Sequence, residues 1–96
     1  MKAVAWEPLA LEEFDDALAV SRDPVAFQRD VRDALTAIAS GIIVHAKVAR
    51  TLARRCDLTR LPYSIIYIES DDEARVWVFP HHKRKAGYWR HRLPRN

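Results

Sequence analysis

Residues 81 to 89 read HHKRKAGYW, two imidazoles and three consecutive cations followed closely by a phenol and an indole. Side chains of these types suit the cleavage of an RNA backbone by its own 2′-hydroxyl. That reaction needs a base to take the hydroxyl proton, cations to bear the charge that builds on the phosphate, and an acid for the leaving oxygen. A histidine near its reference pKa of about 6.5 serves as base or acid, arginine grips phosphate as a bidentate fork, and tyrosine can donate, accept or stack on a base. His82, Arg84 and Tyr88 supply one of each. On composition alone a plainer reading competes: a C-terminal basic segment is also a common solvated patch or protein-binding surface, with Trp89 packed on the body as its anchor.

Other chemistries are excluded cheaply. Gly41 and Gly87 are the only glycines, so no phosphate-cradling glycine loop can form. No Cys/His set has zinc spacing. His81 and His82 would point to opposite faces if they prolong a strand, which argues against joint metal ligation. No serine sits in a strand-to-helix nucleophile turn. Cys56, the single cysteine, reads as a small buried residue and can form no intrachain disulfide. Neither a metal nor a cofactor is expected.

The elements that must position the tail follow from periodicity and punctuation. KAVAW (2–6) alternates as a short strand, with Val4 and Trp6 on one face. From Leu9 to about Val20, Leu11, Phe14 and Leu18 recur at helical spacing, with Glu12, Glu13, Asp15 and Asp16 mostly on the opposite side. Asp23 and Pro24 are a helix cap and first helical residue. The helix they open carries the stripe Phe27, Val31, Ala34, Leu35 and Ile38 and stops at Gly41. Residues 42–52, IIVHAKVARTL, fit either a buried strand or a short amphipathic helix. RRCDLTRL (54–61), PYSIIYIES (62–70) and EARVWVF (73–79) then read as three strands, the last two joined through Ser70 to Glu73. Tyr63, Ile65 and Tyr67 share one face of the middle strand and Ser64, Ile66 and Ile68 the other, so both faces are covered. Trp6 and Trp77 are assigned to the core. The expected fold is α+β, in the order β-α-α-β-β-β, with a helical hairpin packed on a small, mainly antiparallel sheet.

One domain, 1–96, accounts for the whole chain. No apolar run approaches the ~20 residues of a membrane helix, and the acidic N-terminal stretch is unlike a signal peptide, so the expected location is cytoplasmic. The net charge of +3 conceals a split: residues 1–44 hold four Lys/Arg against eight Asp/Glu, residues 45–96 twelve against five. An anion-facing side is implied, toward nucleic acid or an acidic protein. Its contact candidates are Arg54, Arg60, His81, Lys83, Lys85 and Trp89. In a meander the end of the first of the three strands lies beside the end of the third, which brings Arg60 closer to His81 than Arg54.

Arg55, Leu58, Arg60, Leu61, Pro62, Tyr63, Ile66, Tyr67, His82, Arg84, Tyr88 and Trp89 together form a pattern. An arginine is followed by an apolar-Pro-Tyr step into an alternating strand, then by a strand running into a His/Arg-rich tail. This pattern resembles the RelE/ParE superfamily, the toxins of bacterial type II toxin-antitoxin pairs; Leu61 stands where Phe is usual. The resemblance covers nearly the whole chain and implies a growth-arresting toxin neutralised by a cognate antitoxin. It leaves two targets open, ribosome-bound mRNA cut by a RelE-like endoribonuclease, or DNA gyrase blocked by a ParE-like binding inhibitor. For the nuclease it implies that Arg55 and Arg84 bind phosphate, that Tyr88 is the C-terminal tyrosine, that His82 assists proton transfer, and that Lys47 and Arg50 add RNA contacts. The antitoxin is expected to offer an acidic, partly disordered segment to the basic end of the sheet.

Overall fold

The computed structural model describes residues 1–95. Strand β1 (Ala3–Trp6) leads into helices α1 (Pro8–Ala19) and α2 (Pro24–Ser40), followed by β2 (Arg54–Asp57), β3 (Ser64–Glu69) and β4 (Glu73–Val78), with a single 3-10 turn at Arg90–Arg92. The sheet order is β1-β4-β3-β2. β1 lies parallel to β4, and the β4/β3 and β3/β2 pairs are antiparallel. The expected α+β order and mainly antiparallel sheet are thus observed.

Local chemistry explains the helix ends. The Asp23 carboxylate accepts the Ala26 N–H at 3.0 Å, and Pro24 supplies the fixed φ of the first turn. Gly41 closes α2 at φ 72°, in the left-handed region where a Cβ is penalised. On the stripe of α2, Phe27, Val31 and Ile38 are buried and Ala34 and Leu35 half-buried. On α1 the buried residues are instead Ala10 and Ala17, with Phe14 and Leu18 half-buried and Leu11 exposed.

The sheet separates two apolar clusters. On the helical side Phe14, Phe27, Phe79, Trp6 and Tyr63 interlock, with Tyr63 stacked on Phe79 at 5.0 Å between centroids. On the opposite side Ala53, Ile66, Val78, Trp89 and Leu93 form a smaller core, covered by the C-terminal tail. Trp77 packs against this second cluster and remains partly accessible.

Three sequence expectations are corrected. The strand expected over 54–61 ends at Asp57, because Leu58 N–H bonds the Tyr63 carbonyl at 3.0 Å and Pro62 offers no N–H, so 58–63 becomes the turn. The strand expected from Pro62 starts at Ser64 for the same reason. Residues 42–52 are neither strand nor helix: they touch the sheet through one antiparallel bridge, Lys47 to Arg54, and then turn tightly, with Thr51 N–H on the Val48 carbonyl at 3.1 Å.

Candidate functional site

The tail is steered by β4. After Val78 the chain keeps one further antiparallel bridge, His81 to Tyr63, with Ser64 N–H on the Pro80 carbonyl at 3.0 Å and His82 N–H on that of Pro62 at 2.8 Å. It then turns twice, with Gly87 at φ 77°, and seats Trp89 in the cluster beyond the helices. This turning divides the chemistry-bearing residues between two polar networks.

The first network lies at the junction of β2, β3 and the tail. Ser64 is fully buried, and its Oγ is 2.5 Å from Asp57 Oδ1 and 2.9 Å from His82 Nε2. Asp57 Oδ1 also accepts Arg55 Nε–H at 2.8 Å. The Ser64 hydroxyl first, and the Arg55 guanidinium next, hold the Asp57 carboxyl below its ordinary pKa. An ionised carboxylate only accepts, so the one hydroxyl proton of Ser64 goes to Asp57 and His82 Nε2–H donates to Ser64 Oγ. A serine, a histidine and an aspartate therefore meet here in the wrong sense for hydrolysis: the hydroxyl points its proton away from the base and has no accessible face.

The second network belongs to Glu13, and it is the residue that sequence reasoning misplaced toward solvent. Its Oε2 accepts the Tyr88 phenol at 2.7 Å; its Oε1 accepts Arg92 Nη2 and the Phe79 N–H, both at 3.2 Å. Arg92 also donates to the Trp77 carbonyl at 3.0 Å. One carboxylate thus fastens the tail to α1 and to the end of β4. Burial first, then the hydrogen bond from the phenol to Glu13, pushes the Tyr88 pKa up to about 12. The Arg84 guanidinium lies over the Tyr88 ring at 4.3 Å, a cation–π contact. The missed signal was alanine: Ala10 and Ala17 flank Glu13 at helical spacing and mark its face as the one that meets the sheet.

The remaining candidates distribute accordingly. Lys47, Arg55 and Arg90 line an open groove of about 430 Å³ whose walls include Val48, Asp57 and Trp89. Arg84, Tyr88 and His81 line a different, smaller groove against α1, with Glu13 and Asp16. Arg54 is held in the fold: it pairs with Glu69 at 3.2 Å and donates to the His45 carbonyl at 2.7 Å. Arg60 pairs with Asp30 of α2 at 3.8 Å. Lys83 and Lys85 are exposed beside the turn, and Arg50 stands at the tip of its loop with φ 62°. Among the described residues no group of His, Cys, Asp and Glu is arranged to hold a metal ion, and no helix is long and apolar enough to cross a membrane.

The four candidates for RNA cleavage fall into two pairs, Arg55 and His82 about the Asp57 carboxylate and Arg84 over the Tyr88 ring. Arg55 faces one groove; Arg84 and Tyr88 face another; His82 has spent one ring nitrogen on a buried hydroxyl. A phenol that titrates near 12 is a weak proton donor or acceptor at neutral pH, since general catalysis favours a pKa near the working pH. The arrangement supplies cations that can bind an anionic surface, divided between two grooves.

No family model matches the chain, and no curated protein matches it. Among solved structures, the fold is similar to a chain from the chromosomal ParDE TA system of P. aeruginosa. That likeness has a TM-score of 0.67 at 15% identity and covers 84% of this chain and 96% of that one. The α+β fold expected from the sequence pattern is therefore one this chain shares with that structure.

Proposed function

We propose that this chain is the toxin of a two-component toxin–antitoxin pair, and that it arrests growth by binding its target, DNA gyrase, rather than by cutting ribosome-bound mRNA. The fold shared with a ParDE system supports the first half. The second half is carried by one observation: Arg55 on one side, and Arg84 and Tyr88 on the other, line separate grooves, with the Tyr88 phenol engaged by Glu13. A binding inhibitor needs no convergent acid and base, whereas a nuclease does. The excess of Lys/Arg over Asp/Glu in residues 45–96 supports an acidic antitoxin.

Growth arrest after induced expression tests this reading. Arg84→Ala and Tyr88→Phe chains that remain folded are expected to arrest growth as the parent does. Loss of arrest in both, with antitoxin binding intact, would return the chain to the nuclease class.

A further inference from the structure

Ile42, Ile43 and Val44 stand 79%, 50% and 73% exposed, although each is a β-branched residue of the type that cores and strands take up. Among the described residues these three make no backbone–backbone hydrogen bond outside regular structure, and they belong to no helix or strand. The chain then reaches the outer edge of β2. Val48 N–H bonds the Ala53 carbonyl at 2.8 Å, and Arg55 N–H bonds the Ala46 carbonyl at 3.1 Å. In this antiparallel pattern the bonds come from the neighbours of Lys47, so its own N–H and C=O point away from β2, into solvent. Lys47 also lines the cationic groove with Arg55 and Arg90.

We propose that residues 42–47 are a rail for strand addition, taking a partner segment that is apolar along Ile42–Val44 and acidic where it reaches Lys47. An incoming strand would pair with the outward backbone groups of Lys47, cover the three apolar side chains, and set carboxylates against Lys47, Arg55 and Arg90. Open strand edges are templates for such pairing. Charge complementarity selects the occupant: Arg55 is already paired with Asp57, and a basic or neutral strand would leave Lys47 and Arg90 uncompensated. Assigning the segment to an antitoxin rests on the toxin reading; the rail itself does not.

The test uses the full chain and two fluorescent peptides. Both alternate valine and threonine; one ends in a run of glutamates, its twin in a run of lysines. The acidic peptide should bind at least about tenfold more tightly, a difference read by anisotropy, and should slow amide exchange at Val44–Lys47. Lys47→Pro, which removes the outward N–H, should abolish binding, while Lys47→Met, which removes only the charge, should weaken it less. Equal binding of the two peptides, no binding of either, or protection confined to β1 would overturn the proposal. So would self-association of the chain that Val44→Glu abolishes, since the rail would then serve a second copy. Peptide binding by a chain that arrests no growth would keep the rail and discard the toxin reading.

Discussion

Replacing Glu13 by alanine should cost about as much stability as emptying a core position, although the residue is charged and sits on a helix that faces water. Its carboxylate accepts a phenol at 2.7 Å, a guanidinium and a backbone N–H, and its side chain is only 23% exposed. A hydrogen bond to a charged group contributes about 1.5–3 kcal/mol, and an orphaned buried N–H costs about 1–3 kcal/mol. The three contacts share one acceptor and do not add, and water can reach part of the vacated space, so about 3 kcal/mol is the expected loss. For a domain of this size that lowers Tm by roughly 12–24 °C. Glu13→Gln keeps an acceptor for Phe79 and Arg92 but gives up the charge, and should lose about half as much. Urea unfolding of the parent, both variants and the exposed control Glu12→Ala measures this. A Glu13→Ala chain within about 0.5 kcal/mol of the parent, the range of an ordinary surface change, would refute the clasp. A Glu13→Gln chain as unstable as Glu13→Ala would refute the assignment of acceptor roles.

Alkali should unfold the protein early: Tyr67 and Tyr88 both titrate near 12 when folded against 10 in the unfolded chain. Between those values the unfolded state has lost protons that the native state keeps, so stability falls as pH rises from 10 to 12. Tyr67→Phe should flatten that fall, and an unchanged slope in alkaline melts would contradict it. On the acid side Asp57 and Glu69 are held below their ordinary values, Asp57 first by the Ser64 hydroxyl and Glu69 first by the Lys2 ammonium. Their stabilisation is present above the unfolded pKa of about 4 and is lost as pH falls through the lower folded values. Asp57→Asn should be less stable at neutral pH and show a shallower acid decline of Tm; a parallel decline would argue against the Arg55–Asp57–Ser64–His82 network.

Where local rules dominate, the sequence was legible. Asp23, Pro24 and Gly41 set the bounds of α2 because capping and the left-handed turn are decided within a few residues. The alternation of Tyr63, Ile65 and Tyr67 set the faces of β3 because both sides of a middle strand must be covered. Long-range competition hid the rest. Glu13 looked solvent-facing until three donors from the sheet end and the tail converged on it, a placement that only tertiary structure supplies. The alternation puts Ser64 on a face with Ile66 and Ile68, and its partners lie seven and eighteen positions away. Arg54 and Arg55 are neighbours at the start of β2, the first read as a contact and the second as a phosphate-binding arginine. Strand parity sends one to Glu69 and the His45 carbonyl and the other to the groove. Residues 42–52 stayed ambiguous because an apolar run without a partner satisfies neither helix nor strand by itself.

The most direct test of the account places the purified chain in two assays side by side. One is gyrase-catalysed supercoiling of a plasmid; the other is primer-extension mapping of a defined mRNA in a purified translation system with and without ribosomes. Inhibited supercoiling and intact mRNA in both translation reactions are expected. Ribosome-dependent cuts with supercoiling unaffected would contradict that expectation, and would mean that Arg55, His82, Arg84 and Tyr88 are brought together on the ribosome.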